Sequence, residues 1–416
     1  MKVAFYTLGC KVNHYETEAM RELFLAAGWE SVPFTDSADV YIVNTCTVTG
    51  TGDAKSRKMI AAAHRLRPDA LIAVTGCYAQ VAADAVRALP GVGLVMGTAD
   101  RRQIVERVTR ALAGSRADHV IPIARMRSFE ELSAVRDGRT RAVLKIQDGC
   151  VNFCTYCLIP YARGPIRSRS LASIRTELTR LGEAGYREVV LTGIHLNSWG
   201  LDSREGGLID VLEAADTIPG IDRIRLGSLE PKDMDDAFME RAARLRTLCP
   251  QFHLALQSGS DPVLARMGRR YDTAGFAAAV DAIRRAFPGA AITTDVIAGF
   301  VGETEEEHRQ TLAFAERIGF ARMHVFPYSP REGTKAAAMP GHLPKALREE
   351  RAAELIALGR RLEERYLDGL IGQSLEVLAE TDGTGYSREY ARVAVQAPEG
   401  EIALVTPRSR RGTVLY

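Results

Sequence analysis

The sequence has no long apolar run, no low-complexity tract and almost no net charge. No stretch approaches the roughly 18 consecutive apolar residues that a membrane-spanning helix needs, and the first residues lack the pattern of a secretory signal. We therefore expect a cytoplasmic protein without membrane association. The formal net charge of +2 neither demands nor excludes a nucleic-acid partner, so any basic surface must be local.

Cysteine is also scarce, with seven residues in a chain of 416. An odd number of cysteines in a reducing compartment is more typical of metal ligands or reactive thiols than of disulfides. Apolar residues make up 46% of the chain and charged residues 25%, the balance of a soluble globular protein. The length fits two or three domains.

Residues 1–113 alternate apolar runs with helical patterns. The apolar runs are VAFYTL, VYIVNT, ALIAVTG and GLVMG. Continuous apolar strands between helices indicate a parallel sheet covered on both faces. The pattern predicts an N-terminal doubly wound α/β domain over residues 1–113, and the irregular, charged residues 114–140 are interpreted as a linker.

The rest of the chain predicts a second α/β domain and a small β module. Residues 141–342 contain six further apolar runs, AVLKIQD, EVVLTGI, DRIRLGS, FHLALQS, AITTDVIAGF and ARMHVFPYS. Six βα units of this length predict a central (βα)6-type partial barrel. Residues 343–370 predict an amphipathic connecting helix, since leucines recur at helical spacing at Leu347, Leu355, Leu358 and Leu362. Residues 371–416 show short strand-like runs and predict a β module.

The string GCVNFCTYC places Cys150, Cys154 and Cys157 at the end of the first barrel strand. Barrel enzymes carry their chemistry at this end of the strands. Three thiolates in C-x3-C-x2-C spacing can bind three irons of a [4Fe–4S] cluster and leave the fourth iron open. The alternative is structural zinc, which requires four ligands, and no fourth ligand stands nearby. The spacing therefore favours the cluster.

Cys10, Cys46 and Cys77 each follow an apolar strand of the first domain. The carboxyl ends of parallel strands share one edge of the sheet, so we expect these thiols to converge on a second cluster. The alternative is three structural cysteines, which would lie within strands or on apolar helix faces. Cys249 stands alone and is interpreted as a buried apolar side chain.

This arrangement of cysteines and domains resembles the radical S-adenosylmethionine (SAM) methylthiotransferases over nearly the whole chain. Within that family it most resembles the MtaB type, bacterial enzymes that methylthiolate C2 of N6-threonylcarbamoyladenosine at position 37 of tRNA. The strings that carry the resemblance are TLGCKVNHYETEAM, NTCTVT, TGCYAQ, KIQDGC, IPYARG, LTGIH, QSGS and FPYSPREGT. The terminal module would be a short version of the family's TRAM domain.

The resemblance implies cofactors and a division of labour between the cysteines. Cys150, Cys154 and Cys157 would bind the radical-generating [4Fe–4S] cluster, and Cys10, Cys46 and Cys77 the auxiliary [4Fe–4S] cluster that carries sulfur. Two SAM molecules would be used, one to methylate the sulfur and one to give a 5′-deoxyadenosyl radical. An aromatic C–H bond is too inert for acid–base chemistry, so cofactors must carry this step.

Further residues are predicted to line the cofactor site. By resemblance these are Tyr156, Thr192, Gly193, Ile297 and Gly299, with ordinary turn chemistry as the alternative for the first three. Their position at strand ends adds Ser228, Glu230, Gln257 and Arg269. His195 is either a polar lining residue or a packed histidine.

Two groups of arginines are candidates for contact with RNA. Arg163, Arg167 and Arg169 follow the cluster motif with no acidic residue between them, and we predict that they meet the RNA backbone. Arg408, Arg410 and Arg411 form a basic tail that is either solvated surface or a phosphate contact.

The expected partners are therefore tRNA, an electron donor such as a flavodoxin or ferredoxin, and a sulfur donor that no motif identifies. Within the same class, the alternatives are methylthiolation of isopentenyladenosine in tRNA or of a ribosomal protein aspartate. A different class would be a non-catalytic iron–sulfur electron carrier or RNA-binding scaffold. That class predicts a fourth cysteine that closes each cluster, and the sequence has none at either triad.

Overall fold

A five-stranded parallel sheet forms the N-terminal part of the computed structural model, which describes residues 1–48, 50–115, 118–134 and 140–416. The strand order is β2-β1-β3-β4-β5. The strands are β1 (Lys2–Thr7), β2 (Glu30–Val32), β3 (Val40–Thr45), β4 (Leu71–Gly76) and β5 (Val92–Val95). The helices are α1 (Lys11–Ala26), α2 (Gly50–Leu66), α3 (Cys77–Val81), α4 (Ala83–Arg87) and α5 (Ile104–Leu112).

Central strand β3 shows why this sheet is doubly wound. All six of its residues are buried, because successive side chains point to opposite faces and both faces are covered. Tyr41 and Val43 pack in one apolar cluster with residues of α2 and α3, while Val40 and Ile42 pack in another with residues of α1 and α5. The doubly wound prediction is confirmed. The edge strand β2 was not predicted because it is short and only partly buried.

A second set of parallel strands forms the partial barrel. Paired neighbours run in the orders β6-β9-β10 and β11-β12-β13-β14, and only Gly227 separates β10 from β11 along the chain. β7 and β8 form a small antiparallel pair. These strands are β6 (Ala142–Lys145), β7 (Gln147–Asp148), β8 (Arg167–Ser168), β9 (Glu188–Thr192), β10 (Arg223–Leu226), β11 (Ser228–Leu229), β12 (Gln251–Leu254), β13 (Ala291–Ala298) and β14 (Arg322–Pro327). The six-unit parallel architecture is confirmed, with its third strand broken at Gly227.

Helices alternate with the strands of this unit. They are α6 (Ile159–Arg163), α7 (Leu171–Glu183), α8 (Leu208–Asp216), α9 (Asp236–Ala242), α10 (Asp261–Met267), α11 (Thr273–Ala286) and α12 (Glu305–Ile318). Of these, α7, α8, α9, α11 and α12 contribute apolar residues to the barrel core. Short 3-10 turns lie at Arg101–Gln103, Ile123–Arg125, Leu196–Ser198, Pro231–Asp233 and Ala336–Ala338. Helix α12 begins with a reciprocal capping box between Thr304 and Glu307.

The segment interpreted as a linker is irregular but packed. His119 forms an isolated parallel β-bridge with Met96, next to the first sheet. Leu132 and Ala134 are buried in the barrel core. Residues 116, 117 and 135–139 of this segment lie outside the described residues. Tyr15 and Ala19 of α1 also enter the barrel core, so the two α/β units share apolar packing.

The C-terminal part consists of a long helix and a six-stranded sheet. Helix α13 (Lys345–Asp368) buries Leu355, Leu358 and Leu362 against the barrel, while Leu347 is only partly buried. The sheet order is β18-β15-β16-β17-β20-β19, and the pair β17–β20 is parallel. The strands are β15 (Leu375–Ala379), β16 (Thr384–Ser387), β17 (Arg392–Ala394), β18 (Ile402–Val405), β19 (Arg410–Arg411) and β20 (Val414–Leu415).

This sheet lies at the amino-terminal ends of the barrel strands. Arg223, the first residue of β10, donates to the carbonyl of Tyr386 at 3.0 Å. Arg388 donates in return to the carbonyls of Arg246 and Leu248 at 2.7 and 2.8 Å. Within the described residues, no helix is long and apolar enough to cross a bilayer.

Candidate functional site

The three N-terminal cysteines meet at one edge of the first sheet. Cys10 caps α1 after β1, Cys46 follows β3, and Cys77 begins α3 after β4. The thiols are close enough to interact electrostatically with one another. A Cβ built on Gly9 would lie 2.8 Å from the Cβ of Cys46, and Gly9 has a φ of +101°. The turn before Cys10 therefore requires glycine, because Gly9 packs directly against Cys46.

Two members of this triad are buried and one is accessible. Burial raises the pKa of Cys46 to about 11, and the pKa of Cys77 is raised by burial as well. Arg163 Nε donates to Cys77 Sγ at 3.3 Å. Cys10 is exposed, so it is the thiol of this group that faces open space.

The other triad lies on the loop after β7. Cys157 Sγ accepts from the backbone N–H of Ile159 at 3.4 Å, and Cys154 Sγ accepts from Arg269 Nη1 at 3.2 Å. Cys150 interacts electrostatically with Cys154, and burial raises the pKa of Cys157 to about 12. The three thiols therefore share one small volume, as their spacing predicts.

Both triads have donor sets suited to iron–sulfur clusters. All seven cysteines are free thiols. Among the described residues, no three histidine, cysteine, aspartate or glutamate side chains converge closely enough to hold a single metal ion. A four-iron cluster is larger, since each thiolate binds a different iron, and thiolates are the ligands that such clusters prefer. Each triad also has one arginine N–H directed at a sulfur, which suits an anionic cluster.

A hydrogen-bonded group surrounds the barrel triad. Arg269 pairs with Glu230 and donates to the hydroxyl of Tyr271 at 3.0 Å. His195 Nε2 lies 3.2 Å from Asn152 Nδ2 and 3.6 Å from Glu230. His195 is therefore a polar residue of the site. The pKa of Glu230 is lowered, because His195 and Arg269 outweigh the effect of burial.

A cavity of about 390 Å³, called here the central cavity, connects the first sheet with the barrel. Its wall combines Cys10 and its neighbours with residues along the barrel strands and with Tyr390 of the C-terminal part. The lining residues are Cys10, Lys11, Val12, Thr192, Gly193, Leu226, Gly227, Ser228, Gln251, His253, Thr293, Asp295, Arg322, His324 and Tyr390. The structure therefore places Thr192, Gly193 and Ser228 together with Cys10.

A smaller side cavity of about 190 Å³ adjoins the central cavity at Asp295, which lines both. Three of the predicted residues line it, namely Tyr156, Gln257 and Ile297. Val48, two residues after Cys46, forms part of its wall. The side cavity therefore lies between the segments that carry the two triads. Burial raises the pKa of Tyr156 well above its usual range.

Gly299, which was predicted to contact the cofactor, packs against helix α13. A Cβ built on it would lie 2.6 Å from Cγ of Arg348, on helix α13. Its backbone N–H donates to Glu303 at 3.0 Å. Gly299 therefore allows α13 to pack closely and lines neither cavity.

Arg163, Arg167 and Arg169, which we predicted to meet the RNA backbone, are not exposed to a partner. All three are buried. Their charges are used in ion pairs with carboxylates that are distant in sequence or lie before the loop, which is why the absence of acids within the loop was misleading. The pairs are Arg163–Glu16 at 2.5 Å, Arg167–Asp148 at 3.2 Å and Arg169–Glu131 at 2.9 Å.

The C-terminal arginines differ from one another. Arg408 and Arg411 are exposed, whereas Arg410 is partly buried and pairs with Asp368 at 2.8 Å. Arg408 and Arg411 are therefore the exposed arginines of this tail, and the guanidinium of Arg411 lies over the ring of Tyr416, 5.5 Å from its centroid. Cys249 is buried, as the apolar interpretation predicts.

Several residues of the central cavity were missed by sequence reasoning, chiefly Lys11, His253, Asp295 and His324. Three lie on barrel strands that were interpreted from their apolar residues alone. The signal was the alternation of polar residues at every second position, as in Gln251 and His253 of β12 and Thr293 and Asp295 of β13. Side chains with this period point to the same face of a strand.

Family models match the two α/β units separately. The model described as uncharacterized protein family UPF0004 matches residues 2–97, and the radical SAM superfamily model matches residues 144–315. The chain is 43% identical to the threonylcarbamoyladenosine tRNA methylthiotransferase MtaB of Bacillus subtilis, over 97% of this chain and 92% of that protein. The chain belongs to the tRNA methylthiotransferase family of radical SAM enzymes.

Other members of the methylthiotransferase family are also similar to it. The tRNA-2-methylthio-N6-dimethylallyladenosine synthase of Mycobacterium bovis is 36% identical, with 98% of this chain and 83% of that protein covered. The fold resembles that of the radical SAM methyltransferase TsrM from Kitasatospora setae, with a TM-score of 0.59 and 17% identity over 81% of this chain and 77% of that one. Family membership brings [4Fe–4S] clusters and SAM as cofactors.

Proposed function

We propose that the chain converts N6-threonylcarbamoyladenosine at position 37 of tRNA into its 2-methylthio derivative. The hydrogen on C2 of the adenine is replaced by a methylthio group. Relatives named for this substrate include the most similar one quoted above, while the dimethylallyl enzyme is less similar.

One observation carries the proposal, namely that Cys10 opens into the same cavity as the ends of the barrel strands. Cys10 is the accessible thiol of its triad, and Thr192 and Ser228 line the same central cavity. An adenine in this cavity can be reached from both sides, by a radical formed in the barrel and by sulfur held at the first sheet. A carrier or scaffold protein has no need for this shared space.

We assign the cysteines to the two clusters accordingly. Cys150, Cys154 and Cys157 would hold the cluster that binds SAM, and Cys10, Cys46 and Cys77 the cluster that carries sulfur. When bound, these groups supply the 5′-deoxyadenosyl radical and the methylthio group. The side cavity, with Tyr156, Gln257 and Ile297, adjoins the barrel triad and is suited to the adenosine of SAM. Glu230 and Arg269 would hold the loop that carries Cys154 in place.

The lining of the central cavity favours the threonylcarbamoyl substrate over an isopentenylated one. Charged and hydrogen-bonding side chains dominate it, among them Lys11, His253, Asp295 and Arg322. An isopentenyl group could not bind any of these polar groups, including Lys11, which pairs with no carboxylate in the described part of the chain. A threonylcarbamoyl group offers a carboxylate, a hydroxyl and a urea to bind them.

The remaining parts of the chain support this role. We assign residues 1–113 to the domain of the sulfur-carrying cluster, 114–140 to the linker, 141–342 to the radical SAM barrel, 343–370 to the connecting helix and 371–416 to a short TRAM-like module. Arg408 and Arg411 of that module are available to RNA phosphates. The enzyme would work in the cytoplasm with a flavodoxin or ferredoxin as electron donor.

The test is nucleoside mass spectrometry of tRNA from a strain that lacks this enzyme and from the same strain complemented with it. We expect 2-methylthio-N6-threonylcarbamoyladenosine to disappear in the deletion strain, with the unmethylthiolated nucleoside accumulating in its place. Loss of the 2-methylthio isopentenyl nucleoside instead would overturn the substrate assignment.

A further inference from the structure

Lys11 is a charged residue of the central cavity that forms no ion pair with a carboxylate in the described part of the chain. It follows Cys10 directly and lines the cavity, and its side chain is accessible there. Its ammonium makes no hydrogen bond or salt bridge with any residue that the structure describes. A lysine that lines a cavity without a carboxylate partner is suited to an anionic ligand.

The other charges near Lys11 are already balanced. Arg141 pairs with Glu380 at 3.2 Å, and Arg225 pairs with Glu188 at 2.8 Å. Arg141 and Arg225 also lie over the ring of Tyr390, with guanidinium-to-centroid distances of 5.4 and 4.7 Å.

The carboxylate within the central cavity is matched as well. Asp295 lies 3.3 Å from His253 Nε2. Lys11 is therefore left to bind a negative group that enters with the substrate.

The order of atoms in adenine indicates which group this is. N6 is bonded to C6, and the ring atom N1 lies between C6 and C2. A substituent on N6 can therefore extend along the edge of the ring that carries C2. Sulfur reaches C2 from the triad that includes Cys10. The residue next to Cys10 therefore lies beside the N6 substituent, whereas the phosphates of the RNA backbone stay farther from the reacting edge.

We propose that Lys11 binds the carboxylate of the threonylcarbamoyl group and thereby selects the threonylcarbamoylated adenosine. This inference rests on the proposed function. His324, on the same cavity wall, makes no hydrogen bond with a described residue and is a second donor for the threonyl group. Lys11 acts in recognition and does not take part in the transfer of sulfur.

The experiment compares two anticodon stem-loops on the enzyme with both clusters reconstituted, without reductant so that no turnover occurs. One carries N6-threonylcarbamoyladenosine, and the other carries the analogue in which the carboxylate is a carboxamide. The wild type should bind the carboxylate form more tightly by roughly 10- to 100-fold, the range of a charge-assisted hydrogen bond. In Lys11→Met the ratio of the two Kd values should fall close to one, and in Lys11→Arg it should be retained.

Controls separate recognition from damage to the site. Lys345→Met removes a lysine that is 79% exposed on α13 and should leave the ratio unchanged. Iron content shows whether Lys11→Met keeps both clusters. If this variant loses a cluster, the wild type alone decides. A wild type that binds the carboxylate and carboxamide stem-loops with equal Kd overturns the inference.

Two further results would also overturn it. One is a Lys11→Met variant with the wild-type ratio and normal SAM binding, which would leave Lys11 without a role in recognition, and the other is the same ratio with weakened SAM binding, which would assign Lys11 to the cofactor. The proposed function is tested separately, by adding reductant to the wild type. Formation of the 2-methylthio product there, together with an unchanged ratio in Lys11→Met, would leave the function intact and reject only the role of Lys11.

Discussion

Arg163 Nε lies 3.3 Å from Sγ of Cys77, so an arginine of the barrel contacts a cysteine of the first sheet. The same guanidinium binds Glu16 through Nη1 at 2.5 Å and Nη2 at 3.0 Å. Arg163 and Glu16 are both fully buried. The two α/β units are thus held in register by a buried ion-pair network that ends at a cysteine of the site.

Replacing Arg163 by methionine should strongly destabilise the protein. Glu16 and Cys77 would lose a buried partner, and breaking a buried ion pair on one side costs about 3 to 5 kcal/mol. Urea unfolding followed by circular dichroism measures this change. Arg408→Met removes an exposed arginine and should change the free energy of unfolding by less than about 0.5 kcal/mol. Equal effects of the two substitutions would contradict the network.

The same network predicts how acid affects stability. Burial alone would raise the pKa of Glu16, but Arg101, Arg163 and Lys145 outweigh it and lower the pKa to about 2. A folded-state pKa below the unfolded value means that the stabilisation is complete above the unfolded pKa and is lost as the pH falls toward 2. We expect the urea midpoint of the wild type to fall between pH 5 and pH 3. Glu16→Gln should be less stable at pH 7 and lose less over that interval, and parallel pH profiles would refute this.

Gly149, directly before Cys150, should be essential for the barrel cluster. It has a φ of +78°, and a Cβ built on it would lie 1.9 Å from the carbonyl oxygen of Pro165. Gly149→Ala should therefore displace the loop of the barrel triad and remove about half of the iron, the content of one of two equal clusters. Gly185→Ala is the matched control, because its φ is +92° but nothing lies within 4 Å. Full iron content in Gly149→Ala would show that the loop tolerates the change.

The exposed tail arginines should contribute to tRNA binding. Arg408→Gln together with Arg411→Gln should reduce the slope of log K against log salt by about 0.7 to 0.9 for each RNA phosphate that the tail no longer neutralises. Fluorescence anisotropy over a salt series measures the slope. Arg309→Gln, an exposed residue on α12 that is 63% accessible, serves as the control. A slope identical to that of the wild type would remove the tail from the RNA interface.

The sequence was most informative where one residue type and its local spacing determine the outcome. Apolar runs followed by turns located the strands, and the cysteines that end them converge because parallel strands share an edge. The short strands β16, β19 and β20 were missed, because two to four residues carry too little pattern.

Charge was harder to interpret from sequence, because the partners of a side chain are set by tertiary contacts. Arg163 and Glu16 are separated by 147 residues, and no local pattern relates them. Lys11 is the opposite case. It occupies the first position of an ordinary amphipathic helix, and only the cavity around it distinguishes it from a solvated lysine.

The most direct test of the account compares variants in which one triad at a time is replaced by alanine. With a strong reductant, the Cys10→Ala, Cys46→Ala, Cys77→Ala variant should release 5′-deoxyadenosine from SAM but form no 2-methylthio nucleoside on threonylcarbamoylated tRNA. The Cys150→Ala, Cys154→Ala, Cys157→Ala variant should form neither product, since the cluster that cleaves SAM is absent. Methylthiolation at the wild-type rate by the first variant would contradict the assignment of sulfur delivery to Cys10, Cys46 and Cys77.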